Sequence, residues 1–85
     1  MRPERIELGQ LWLLEFTKYS YVAQVVDVGN VTLEMTVIEE IKGDTRPVGH
    51  RVRPDIAVVL SGKTQTGATW EYVGHVKDNQ CLWCD

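Results

Sequence analysis

Eighty-five residues make one small domain. A chain of this size buries only roughly 60–65% of its unfolded surface, so its single core is marginal and gains from a partner, a metal or oligomerisation. With 44% hydrophobic and 25% charged residues the composition is that of a soluble globular protein, no apolar run approaches the ~18 residues of a membrane helix, and a net charge of −3 argues against broad, non-specific binding to nucleic acid.

The opening MRPERIELGQ lacks the apolar stretch of a signal peptide, which makes the cytoplasm the expected location. Pro3 suits the first position of a helix and Gly9 a left-handed stop, so residues 2–9 are expected to form one or two helical turns. Residues 11–16, LWLLEF, are apolar on both faces apart from Glu15 and too short for a stable helix; they predict a buried strand. After a polar turn at residues 17–20, the β-branched YVAQVV of residues 21–26 predicts a second strand. Residues 31–42 give the clearest pattern. Val31, Leu33, Met35, Val37 and Ile41 fall on one face, and Thr32, Glu34, Thr36, Glu40 and Lys42 on the other. That alternation is a strand with one wet face, and the break at Ile38 and Glu39 predicts a bulge or bend. Residues 43–54 read as an exposed, mobile loop, and residues 55–60, DIAVVL, as a fourth strand. Residues 61–68 read as a turn or loop. Residues 69–76 complete a fifth strand, with Trp70, Tyr72 and Val76 on one face. Five strands after a short N-terminal helix predict an all-β domain, a small, strongly bent antiparallel barrel; SH3-like, OB and Sm-like folds all fit this count.

Several chemical motifs are weak here. Cys81 and Cys84 form a C-x-x-C, but only Asp85 follows, so no helix can lower a thiol pKa, and neither His50 nor His75 shows zinc-finger spacing. The expected role of this segment is to dock Leu82 and Trp83 on the core, and no metal or cofactor is expected. Gly62-Lys63-Thr64 ends like a phosphate-binding loop. The required upstream glycine is Ala57, however, and the following TQTGAT is a poor helix former. Glu39 and Glu40 are adjacent, so on a strand their carboxylates point to opposite faces. Ser20 and Ser61 lack the context of a nucleophile, and no enzymatic activity is expected. The positive charge is concentrated between Lys42 and Arg53, where four basic residues, including Arg46, Arg51 and Arg53, accompany one acid, Asp44. These arginines are candidate phosphate contacts.

Residues 11–40 read LWLLEFTKYSYVAQVVDVGNVTLEMTVIEE. This resembles the first motif of the Sm-like family, with Asp27, Asn30, Leu33 and Glu39 or Glu40 at its anchors. Leu60-Ser61-Gly62-Lys63 looks like the turn of the second motif. Together the likeness spans about 65 residues, as element order and sparse anchors; it is that of a divergent member, of the kind found in phage or environmental sequences. The chain departs from the pattern in several places. The first turn is one residue short, Val28 and Gly29 stand where a base-stacking aromatic or His is usual, Ser61 replaces an Arg, Ala23 replaces a Gly, and residues 64–68 lengthen a loop. The resemblance implies a homo-oligomeric ring of roughly five to seven subunits. It implies single-stranded RNA bound beside the pore by Asp27, Gly29 and Asn30 with Ser61, Gly62 and Lys63. Asn30 would pair with a base edge, Asp27 would orient it, and Lys63 would contact phosphate. The uncharged, proline-free residues 57–60 offer an edge for such assembly, the fourth strand of one subunit pairing with the fifth of the next. The alternative is a Tudor-like or SH3-like protein-interaction module that presents Trp12, Tyr19, Tyr21, Trp70 and Trp83 as a peptide groove; the competing use of these aromatics is core packing.

Overall fold

Hydrophobic alternation dominates the chain, and the computed structural model, which describes residues 4–43 and 47–76, turns it into one antiparallel sheet. The strands are β1 (Gln10–Glu15), β2 (Ser20–Val28), β3 (Leu33–Lys42), β4 (Arg51–Val52) and β5 (Thr69–His75), with one short helix, α1 (Ile56–Ser61), between β4 and β5. Their order in the sheet is β4-β3-β2-β1-β5. The all-β expectation therefore holds at the level of class; the described sheet has five strands, but β4 stands in place of the strand expected over residues 55–60. Among the described residues the sheet is not closed: β4 and β5 stand at its two ends and do not pair with each other.

One face of the sheet builds the core. Trp12 and Leu14 from β1, Tyr21, Ala23 and Val25 from β2, Leu33, Met35 and Val37 from β3, and Trp70 from β5 are all buried there, together with Ile6, Ala68 and Val59 of α1. Alternation along each strand selects these residues, because every second side chain points to the same face. The sheet bends where the alternation is interrupted. Between β2 and β3 the register shifts three times, and in each case one residue has no cross-strand partner: Val26, Ile38 and Ile41. Between β1 and β5 the extra residue is Val73. An inserted residue bends its strand and increases the twist. It also leaves an apolar side chain off the core: Val26, Ile41 and Val73 are among the few large exposed hydrophobics. The interruption expected at Ile38 and Glu39 is thus a bulge.

A buried polar pair joins the N-terminal segment to the sheet. The Trp12 indole N–H donates to Gln10 Oε1 at 3.1 Å, and Gln10 Nε2 donates to the Arg5 carbonyl at 3.0 Å. The Gly9 N–H donates to the Val25 carbonyl, and the Val76 N–H to the Gly9 carbonyl. These bonds commit backbone groups that a helix over residues 2–9 would use. Within residues 4–9 the chain forms a bend and a turn, not a helix; Arg2 and Pro3 lie outside the described residues. Gly9 does adopt the left-handed conformation expected of it, with φ of 88°.

Two further expectations are corrected. Residues 55–60 do not form a strand, since Ile56–Ser61 is helical. The run is apolar and short, and periodicity alone does not separate a buried strand from a buried helix at that length. Its flanks decide. Asp55 stands in extended conformation at the start, and Gly62, with φ of 84°, closes the end by donating to the carbonyls of Val58 and Val59. A helical backbone satisfies itself internally, so residues 57–60 offer no strand edge to a neighbouring subunit. The loop over residues 43–54 is also not irregular throughout. Arg51 and Val52 pair with Thr36 and Met35, and Val37 exchanges hydrogen bonds with Gly49 and His50. The part around Arg51 and Arg53 is exposed, as expected, but is pinned to β3.

Candidate functional site

The turn that joins β2 to β3 is held by a set of backbone hydrogen bonds. Asp27 sits directly opposite Glu34, and Val28 opposite Leu33. Beyond them the Gly29 N–H donates to the Thr32 carbonyl at 2.9 Å, which closes the turn around Asn30 and Val31. A side chain at position 29 would place its Cβ 2.9 Å from that carbonyl oxygen, so the close approach requires glycine. The segment after β4 wraps onto the turn. The Leu33 N–H donates to the Pro54 carbonyl, the Ile56 N–H donates to the Val31 carbonyl, and Thr32 bridges Asp55. This wrapping carries Arg53, remote in sequence, to the turn.

The result is an open concavity of about 300 Å³ lined by Asp27, Gly29, Thr32, Leu33, Glu34 and Arg53. Its charges are arranged asymmetrically. Opposed carboxylates on one face repel, and Glu34 is relieved by two arginines: Arg51 Nη1 donates to Glu34 Oε2 at 2.8 Å, and Arg53 Nε donates to Glu34 Oε1 at 3.2 Å. The Glu34 side chain is only 15% exposed, while those of Arg51 and Arg53 are 71% and 76% exposed. Both oxygens of Glu34 are thereby used. The Asp27 carboxylate, opposite, has no hydrogen bond or ion pair among the described residues. The site can accept through Asp27 and donate through the remaining N–H groups of Arg53.

Only some of the residues expected to act together line the concavity. Asp27, Gly29 and Arg53 meet in the concavity, and Arg51 joins them through Glu34. Asn30 is exposed in the turn and does not line it. Arg46 lies outside the described residues. Ser61, Gly62 and Lys63 lie at the far end of α1 from the Val31–Ile56 contact. The Gly62 carbonyl accepts from the Trp70 N–H, and none of these three residues lines the concavity. Locally, Ser61 Oγ donates to the Val58 carbonyl at 2.8 Å and Gly62 is buried, so these two residues stop the helix, and Lys63 is exposed.

The comparisons leave this geometry to stand by itself. Protein-family models, curated proteins and solved structures give no match to the chain. The aromatic groove is not formed as expected either. Trp12, Tyr21 and Trp70 are buried in the core, at 0%, 3% and 4% exposure. Tyr19 is half-buried and stacks on Tyr21 at 6.1 Å between ring centres. Trp83, with Leu82, Cys81 and Cys84, lies outside the described residues. Among the described residues no group of three or more His, Cys, Asp or Glu is arranged to hold a metal, and no helix is long and apolar enough to cross a membrane.

Thr32 and Glu34 are the site residues that the sequence reading assigned only to a wet strand face. The signal for Glu34 was present. Arg51 and Arg53 are two apart, so on an extended segment they share a face, as Glu34 and Thr36 do. A pairing of residues 51–53 with that face was needed to join them, and a two-residue strand gives no readable period.

Proposed function

We propose that this chain is a small β-barrel binding module of the Sm-like or SH3-like kind that takes single-stranded RNA at the concavity between Asp27 and Arg53. The observation that carries the reading is a convergence. Asp27 and Gly29, expected on the base side of an RNA site, and Arg53, expected on its phosphate side, line one hollow. A base enters beside Asp27, while Arg51 and Arg53 meet the backbone of the strand. Base contacts specify and phosphate contacts position, so a site of this kind needs both. The four bulges support the barrel part of the reading, because they bend an open sheet toward closure. The peptide-groove reading is less well supported, since three of its five aromatics are buried.

A ring remains part of the proposal on different grounds from the residues 57–60 edge. Among the described residues β4 and β5 are end strands, each with one side unpaired within the sheet. Head-to-tail pairing of such ends closes a ring when the rotation between subunits allows it.

Fluorescence anisotropy with labelled oligouridine and oligoadenosine at low salt tests the function. The expected result is binding by the wild type that Asp27→Ala and Arg53→Ala each weaken, with Lys63→Ala close to wild type. Absence of binding to either RNA by the wild type overturns the reading.

A further inference from the structure

We infer that the base this concavity selects is guanine; the inference rests on the RNA-binding reading and names its specificity. Two features of the hollow make the case. Its acceptor is the Asp27 carboxylate, which has no hydrogen bond or ion pair among the described residues, whereas Glu34 on the neighbouring strand has both oxygens occupied by Arg51 and Arg53. Its donor is a guanidinium only partly engaged: Arg53 binds Glu34 through Nε alone, so its two terminal nitrogens keep their N–H groups.

A carboxylate offers two acceptor oxygens side by side. Guanine answers them with two adjacent donors on its Watson–Crick edge, N1–H and the N2 amine. Adenine, cytosine and uracil each have only one donor group on that edge. Guanine also presents O6 and N7 as neighbouring acceptors, the pattern an arginine fork meets in two hydrogen bonds. Both edges are open when the base is single-stranded. The acceptor at Asp27 and the donor at Arg53 thus suit the two sides of one base.

Other occupants fit less well. A lysine or arginine side chain of a peptide carries donors only and would bring a second cation beside Arg53. A uracil site that relied on stacking would need an aromatic, and among the described residues none lines the hollow. Discrimination must then come from hydrogen bonds, and a polar site rejects a ligand that leaves its groups unpaired. Glu34 has a positioning role: it holds Arg53 at the rim and neutralises part of its charge, so that the guanidinium does not collapse onto Asp27.

The experiment is an anisotropy titration at low salt with short oligouridines that carry one central guanosine, inosine or adenosine. Inosine keeps N1–H and O6 and lacks the N2 amine. The expected result is binding of the guanosine strand tighter than the adenosine strand by on the order of tenfold, with inosine between them. Asp27→Asn should erase the difference between the three strands while the melting temperature stays near wild type. Equal affinity for all three strands, with binding retained, overturns the guanine assignment and leaves the RNA reading in place. No binding to any strand overturns both. Displacement of the RNA by a lysine-rich peptide, without any guanosine preference, also overturns the assignment and points to a peptide ligand.

Discussion

Removing the Gln10 amide should destabilise this domain more than its position near the N-terminus suggests. Gln10 is 3% exposed and Trp12 is 0% exposed, and the Gln10 carbonyl oxygen is the acceptor of the Trp12 indole N–H at 3.1 Å. In Gln10→Ala that N–H stays buried without its acceptor. Leaving a buried donor unsatisfied costs about 1–3 kcal/mol, and the lost methylene adds about 0.8 kcal/mol. The Arg5 carbonyl also loses its donor, which loosens the segment before β1. We expect a loss of about 2–4 kcal/mol, against a total stability for a domain of this size on the order of 4–13 kcal/mol. At roughly 4–8 °C per kcal/mol, the melting temperature should fall by about 8–30 °C. Thermal and urea unfolding followed by circular dichroism measure it. The decisive control is the double variant Gln10→Leu with Trp12→Phe. Replacing both polar partners by apolar groups removes the unsatisfied donor, so it should be more stable than Gln10→Leu alone. A loss below about 0.5 kcal/mol in Gln10→Ala, or a double variant no better than the single, would refute the reasoning.

Other expectations concern the turn, its arginines and the assembly. Gly29→Ala sets a Cβ against the Thr32 carbonyl at 2.9 Å; unfolding should show a loss of about 1–3 kcal/mol, and RNA affinity should fall with it. Replacing both Arg51 and Arg53 by Ala should lower the slope of log affinity against log salt by about 0.7 for each phosphate that is no longer neutralised. Glu34→Gln in that background separates this from the repulsion left between Glu34 and Asp27, and an unchanged slope would take both arginines out of the site. Light scattering should return a multiple of the 9.7 kDa subunit mass; a mass of one subunit across micromolar concentrations would rule out the ring.

Much of the fold was legible because alternation is a strong local signal. Leu33, Met35 and Val37 follow one another on the core face of β3 as their spacing dictates, and the break at Ile38 marks a real bulge. The errors fall where the deciding information is not local. The run IAVVLS carries β-branched residues that favour a strand, yet Asp55 and Gly62 frame it as a single short helix. β4 has only two residues and exists because the chain returns to β3. The candidate site shows the same division. Asp27 and Gly29 were readable as a turn with unusual chemistry, and Arg53 as part of a basic segment. Their meeting depends on the hydrogen bonds of Pro54 and Ile56 to the turn, which no pattern within either segment encodes. Ser61 and Gly62 match a motif in letters, but their local task is to stop a helix, and neither lines the concavity at Asp27.

The most direct test of the RNA site is a residue-resolved titration. Amide shifts of the isotope-labelled protein should be followed by NMR as short single-stranded RNA is added at low salt. The account predicts perturbations concentrated at Asp27, Gly29, Thr32, Glu34, Arg51 and Arg53, with Ser61, Gly62 and Lys63 near their starting positions. A spectrum that does not change, or one whose shifts centre on Lys63 and leave the β2–β3 turn unmoved, would contradict it.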